Sequence, residues 1–169
     1  VFLVNRFIDK LNLFLKEGIM SDKSSSSPVI RAMVPSDLNR IVEIDIMVLG
    51  KPRPDYWEMK LGLLEKGSQV SSLVAELDGK VVGFIIGNES RWEYGIPENI
   101  GWIDTIGIDP DYQRRGIAKI LFTEMTNNLK KAGIDSVITF VKRRDWVLLK
   151  FFDSMGFQKG DMVNLELDI

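Results

Sequence analysis

Apolar residues recur at helix and strand spacings along the chain, and from residue 29 onward they resolve into a definite order of elements. Residues 29–33 read as a short strand, after which Pro35, Ser36 and Asp37 open a helix bearing Leu38, Ile41, Val42 and Leu49, halted by Gly50 and Pro52. A second helix is predicted over 55–66, ending at Gly67. Strands over 70–77 and 80–88 follow, joined by Asp78-Gly79, a two-residue link that signals a type I′ hairpin. Past an aromatic loop at 91–99 comes a strand over 100–108. The next helix carries Ile117, Ile120, Leu121, Met125 and Leu129 on one stripe, has Lys130 and Lys131 in its last turn, and stops at Gly133. A buried strand at 136–141, a helix from Asp145 to Met155 closed by Gly156, and a terminal strand at 162–167 complete the order.

Residues 1–27 differ from this body. Leu3, Phe7, Leu11, Phe14 and Leu15 form a helical stripe between Arg6, Asp9, Lys10 and Lys16, and Ser24 to Ser27 make a spacer. Two readings stand side by side. One is a helix that docks on the domain or on a partner. The other starts the natural chain at Met20, because Lys16-Glu17-Gly18 is what a purine-rich ribosome-binding sequence gives when translated. The expected organisation is therefore an N-terminal extension at 1–27 and one domain at 28–169.

Composition narrows the chemistry. A chain of 169 residues that is 45% hydrophobic fits one domain with a sizeable core. The net charge of −2, from 22 basic and 24 acidic residues intermixed, supplies no field for nucleic acid or an anionic membrane. Zero cysteines exclude a disulfide, a thiolate metal site and an acyl-cysteine intermediate. Zero histidines remove the commonest general base and the commonest metal ligand, so no metal is expected. Proton transfer must use carboxylates, Tyr, Lys, a terminus or water. No apolar run reaches the ~18 residues of a membrane span, and the expected location is cytoplasmic, with a homodimer left open.

The densest chemical signal lies between residues 106 and 119. Ile106, Gly107 and Ile108 end a strand that turns through Asp109 and Pro110 into the helix beginning near Ile117. A helix start exposes unpaired backbone N–H groups and the positive end of the helix dipole, which together suit a pyrophosphate. Gly116 and Ala118 keep side chains out of such a cradle, and Arg114, Arg115 and Lys119 surround it with positive charge. No G-x-x-x-x-G-K-S/T and no G-x-G-x-x-G after a strand is present, so P-loop and dinucleotide readings lack their glycines. Gln113, Gly116 and Ala118 fall at Q/R-x-x-G-x-G/A spacing, and the segment resembles the acetyl-CoA-binding segment of the GNAT superfamily of N-acetyltransferases. The run from Trp146 to the Gly156-Phe157 pair is similar to that superfamily's late helix, and the order of elements matches across about 28–169.

The resemblance implies an α/β fold with a mixed, mostly antiparallel central sheet, a splayed parallel strand pair, and flanking helices. By resemblance, the pantetheine arm of acetyl-CoA enters between the splayed strands and pairs with the backbone of Ile106, Gly107 and Ile108, where Gly107 leaves room for the thioester. Gln113, Arg114, Arg115, Gly116, Ile117, Ala118 and Lys119 would hold the pyrophosphate. Asp145 and Phe152 occupy late-helix positions where members place an asparagine and a tyrosine beside the cofactor. The implied activity is acetyl transfer from acetyl-CoA to a primary amine, on a small molecule or a protein, by direct attack in a ternary complex.

Two departures bear on the mechanism. Phe152 cannot protonate a leaving thiolate, and Trp102 stands where some members carry a catalytic glutamate. Asp104 is two residues on and shares that face by strand alternation, which makes it the leading candidate base. Glu98 and Glu93 are weaker alternatives, and Tyr94 is the candidate acid. Trp57, Trp92, Tyr94 and Trp102 read either as packing residues or as walls of an amine pocket. Lys142, Arg143 and Arg144 read either as a solvated turn or as contacts for a 3′-phosphate. Asp145 is expected to cap its helix. The alternative to an enzyme is a noncatalytic acyl-CoA-binding module that recruits a partner.

Overall fold

The computed structural model describes residues 27–65, 72–89, 99–160, 163 and 165–167. The N-terminal stripe and Trp92, Glu93, Tyr94 and Glu98 lie outside the described residues. Five strands form one sheet in the order β1 (Val29–Ala32), β2 (Leu73–Leu77), β3 (Lys80–Glu89), β4 (Ile100–Ile108) and β5 (Ser136–Ile138). Neighbours run antiparallel except β4 and β5, which are parallel. The β2–β3 turn places Asp78 at φ 50° and Gly79 at φ 77°, the two left-handed residues that a type I′ hairpin requires.

Helices α1 (Leu38–Leu49) and α2 (Pro54–Glu65) cover one face of the sheet, burying Ile41, Ile44 and Trp57 against Val74, Phe84 and Ile86. Helices α3 (Ile117–Lys131) and α4 (Trp146–Ser154) cover the other, where Leu121, Met125, Leu129 and Phe152 pack on Ala75, Val82, Ile85 and Ile103. The predicted stripe of α3 is the buried one except at Ile120, which is 40% exposed. None of the helices among the described residues is long and apolar enough to cross a membrane.

Two expectations need correction. The strand expected over 136–141 stops at Ile138, because beyond that point a side chain, the hydroxyl of Thr139, donates to the carbonyl of Ile103 (3.0 Å) in place of a backbone ladder. The terminal strand expected over 162–167 is absent from its described residues. Val163, Leu165 and Leu167 are 75, 88 and 85% exposed, so their alternation supplies an apolar face with no ladder to hold it.

Arg31 of β1 ties the first strand to the start of α1. Its guanidinium donates to both oxygens of Asp37 (2.7 and 2.8 Å) and to Glu76 (2.8 Å), while the Val34 N–H also donates to Asp37 (2.9 Å). The hydrogen bond from Arg31 holds the Asp37 carboxyl below its usual range, against the opposing effect of burial. A carboxylate depressed in the folded state stabilises above its unfolded pKa of ~3.9, and that contribution fades as pH falls through the lower folded value. Asp37→Ala should cost about 1–3 kcal/mol at pH 7. Urea melts should show the gap between parent and variant closing at acid pH.

Candidate acyl-CoA and amine site

The parallel strands separate almost as soon as they meet. Pairing runs from Ile100 opposite Ser136 to Trp102 opposite Ile138, whereas β4 continues to Ile108. After the Thr139 contact, no described strand lines the β5 side of β4. That leaves a wedge with its vertex at Ile103 and a stretch of strand edge, residues 104–108, along one wall. Such an edge seeks an extended partner bearing amide groups.

At the far end of that edge, the chain turns into α3. Asp109 is 3% exposed, accepts from the Asp111 N–H (3.0 Å), and is ion-paired with Arg40 of α1, so the turn is braced against the opposite layer. Arg114 adopts φ 62°, unusual for a residue with a Cβ, and Gly116 follows at φ 80° as the N-cap of α3. No side chain caps this helix. The first intrahelical bond shown at its start is from the Ile120 N–H to the Gly116 carbonyl (3.1 Å), so the N–H groups of the first turn point outward unpaired. A Cβ built on Gly116 meets nothing within 4 Å. The space before these amides is therefore open, and the residues present fit a bound pyrophosphate.

Other cofactor candidates fall around this cradle in different ways. Arg114, Arg115 and Lys119 are exposed. Arg115 donates to the Asp111 carbonyl (2.7 Å) and lies over the Tyr112 ring (4.9 Å), while Gln113 donates to the Ile108 carbonyl (3.1 Å) and fastens the turn to β4. Ile117 is buried in the core and Ala118 half-buried, so these two offer the ligand their backbone alone. Gly107 serves a purpose that the resemblance did not suggest: a Cβ there would meet the Phe84 ring at 2.6 Å, so its smallness accommodates core packing. Asp145 caps α4 by accepting from the Leu148 N–H (3.1 Å). Phe152 is 5% exposed, with ring centroids 5.2 and 4.9 Å from Phe151 and Phe157, inside the core. Lys142, Arg143 and Arg144 are exposed between β5 and α4.

Asp104 sits beside the vertex on the other face. Ile86 pairs with Thr105 and Gly87 with Ile103, so Asp104 is the extra residue of a β-bulge. The bulge turns Asp104 and Thr105 together toward α2. Lys60 of α2 is ion-paired with Asp104, Asn88 of β3 donates to the same Asp104 oxygen, and Arg53 donates to the Thr105 hydroxyl (3.3 Å). Asn88 lies opposite Trp102, which places Trp102 and Asp104 on one face as alternation implied. Arg53 also grips both oxygens of the buried Asp45 (2.7 and 2.9 Å), to which the Trp57 indole N–H donates (2.9 Å). Tyr56, under Arg53 at 4.1 Å, has a buried hydroxyl with no hydrogen-bond partner among the described residues, and burial first, then the charge of Asp104, pushes its pKa up. It therefore keeps its proton.

Lys60, Arg53, Asn88 and Tyr56 were not singled out from the sequence. One signal was available: Tyr56, Trp57 and Lys60 share the inner stripe of α2, and a lysine on an otherwise aromatic inner stripe breaks the binary pattern.

Comparison with known proteins gives the family and the fold. Residues 38–157 match the model of the Acetyltransferase (GNAT) family. The chain is 28% identical over 86 residues to a mycothiol acetyltransferase of Thermomonospora curvata, covering 51% of this chain and 27% of that protein, so it spans about a quarter of that relative's length. It is 25% identical over 131 residues to the [ribosomal protein bS18]-alanine N-acetyltransferase of Haemophilus ducreyi, covering 78% of this chain and 83% of that one. The fold is shared with the aminoglycoside acetyltransferase AAC(6')-Iy in complex with a CoA bisubstrate analogue (TM-score 0.72, 17% identity, 85% of this chain and 99% of that one). It is also shared with Ard1 from Thermoplasma volcanium (TM-score 0.68, 21% identity, 79% and 84%). The chain belongs to the acetyltransferase (GNAT) family. Its class is that of the acetyl-CoA-dependent N-acetyltransferases.

The contact at Gly107 gives a direct test of the packing behind the wedge. Gly107→Ala should lose about 1–3 kcal/mol of stability through overpacking on Phe84. In urea melts, adding Phe84→Leu should recover part of that loss.

Proposed function

We propose that this domain transfers acetyl from acetyl-CoA to a primary amine by direct attack within a ternary complex, with Asp104 meeting the amine. The observation that carries the reading is the wedge between β4 and β5 opening onto the uncapped start of α3. When bound, acetyl-CoA supplies an activated acyl carbon. The backbone of 106–108 would pair with its arm, and the first-turn N–H groups of α3, with Gln113, Arg114, Arg115, Gly116 and Lys119 around them, would hold its phosphates. By resemblance Asp145 and Phe152 would border this region; in the structure the one caps α4 and the other is a core ring.

A lysine-like ammonium costs roughly 4–5 kcal/mol to neutralise at pH 7, an α-amino group about 1 kcal/mol. With no histidine or cysteine in the chain, the second acceptor asks far less of the site. That favours an α-amino group, as on the protein substrate in the name of the H. ducreyi relative. Asp104 would accept the amine's hydrogen bond and Tyr56, still protonated, would donate rather than accept. A cytoplasmic location and the absence of a nucleic-acid partner belong to the same reading, supported by the near-neutral, intermixed charge.

Thermal unfolding with acetyl-CoA and with CoA tests the cofactor half. Stability should rise by ~2.7 kcal/mol at a hundredfold excess over Kd. Gly116→Glu should abolish the shift while lowering the ligand-free stability by about 1–2 kcal/mol, because φ 80° strains any residue with a Cβ, and a retained shift would place the phosphates elsewhere. For the chemistry, Asp104→Asn should lower turnover by about 10²-fold, with acetyl-CoA affinity unchanged; equal turnover removes Asp104 from the reaction.

A further inference from the structure

Lys60 is 5% exposed, on the sheet-facing side of α2, in a position where packing alone would select an apolar side chain. Lysine is almost never buried this far without a partner, and burying an ion pair usually stabilises no better than hydrophobic residues of the same volume. Its retention there calls for a role beyond packing. The ammonium has one ion-pair partner among the described residues, Asp104, and it takes the same oxygen, Oδ2, that Asn88 takes. No described side chain donates to Oδ1. The Asp104 side chain is 23% exposed against 6% for Lys60, so the carboxylate faces outward with the ammonium behind it. Among the described residues the adjacent cation is matched as well: Arg53, from the turn before α2, is bound to Asp45 of α1. Tyr56, between them, is uncharged.

We propose that Lys60 is the positioning and specificity-determining residue of the acceptor subsite. It neutralises Asp104 and reserves Oδ1 for a single N–H of the incoming amine. The subsite then has the hydrogen-bond acceptor an amine needs without the net negative charge that gathers polycations. Its acceptors are amines carrying one positive charge or none, an α-amino group among them, and not polyamines. This rests on the acetyltransferase reading, and deepens it by naming the acceptor class.

Binding and turnover together test it. Calorimetric titrations of the CoA-loaded full chain would use two probes, spermidine and a tripeptide with a free N-terminal alanine, on the parent, Lys60→Met and Lys60→Arg. Lys60→Met keeps the volume and frees the Asp104 charge, so the affinity ratio of spermidine to tripeptide should rise by about fivefold or more. Lys60→Arg should restore the parent ratio. Turnover of the same probes should show the change in KM rather than kcat. A purely structural lysine would weaken both probes alike, and a ratio constant within about twofold overturns the proposal, as does failure of either amine to bind any variant. Lys60→Gln serves if Lys60→Met fails to bind CoA. A shifted ratio without turnover of any amine would leave the Lys60 assignment standing and remove the enzymatic reading. Turnover with an unshifted ratio would do the reverse.

Discussion

Backbone N–H and C=O groups need partners, and the β5-side edge of β4 beyond Ile103 has no strand to supply them among the described residues. The β3 side of the same strand is paired to its end, from Glu89 opposite Gly101 to Gly83 opposite Ile108. One strand thus has a satisfied edge and an edge that stops being satisfied halfway along. The rest of the molecule is arranged around that asymmetry. Core clusters on both faces keep β4 from moving to close the gap, since Phe84 presses on Gly107 from one side and Ile103 is locked under Met125 and Leu129 on the other. A rigid, half-paired strand is a suitable receptor for an extended ligand with amides of its own, because the strand loses little entropy on binding.

The two ends of the wedge have opposite electrostatics, and each is braced from α1 or α2. At the outer end, Arg40 of α1 is paired with Asp109, and the turn so fixed leaves the positive start of α3 without a described side-chain cap. At the vertex, Lys60 of α2 is paired with Asp104, and the carboxylate so fixed presents an oxygen to a cation or an N–H. The first two helices therefore do more than cover a sheet face. They set the positions of the two aspartates of β4 and its following turn that bracket the ligand groove.

Much of this was legible in the sequence, for identifiable reasons. The hairpin followed from Asp78-Gly79, whose left-handed backbone only a few residue types tolerate. The turn into α3 followed from the coincidence of a strand end, Gly116 and a long amphipathic stripe, since each feature constrains the same few residues. The β-bulge at Asp104 had no such signature, because a bulge depends on the register of β3 as much as on β4. The inner lysine of α2 was hidden by the same non-locality: its burial makes sense only when Asp104 is known to face it. Gly107 has a reason to be small that the sequence hid. A glycine next to a ligand site invites a ligand explanation, whereas its neighbour in space is Phe84.

Phe152 closes the aromatic core of the α4 layer. A phenolic hydroxyl at this position would enter an aromatic cluster with Phe122, Phe151 and Phe157, and Phe152 instead completes that cluster without a polar atom. On α2, by contrast, Tyr56 holds a buried O–H that has no hydrogen-bond partner among the described residues, with the charge of Asp104 nearby. An unsatisfied buried hydroxyl costs about 1–3 kcal/mol, and phenylalanine at that position would remove the cost. The two aromatic positions thus differ in kind, apolar on α4 and polar on α2. The proton-bearing groups Asp104, Lys60, Asn88 and Tyr56 lie in one cluster on the α2-facing side of the sheet, at the vertex of the wedge.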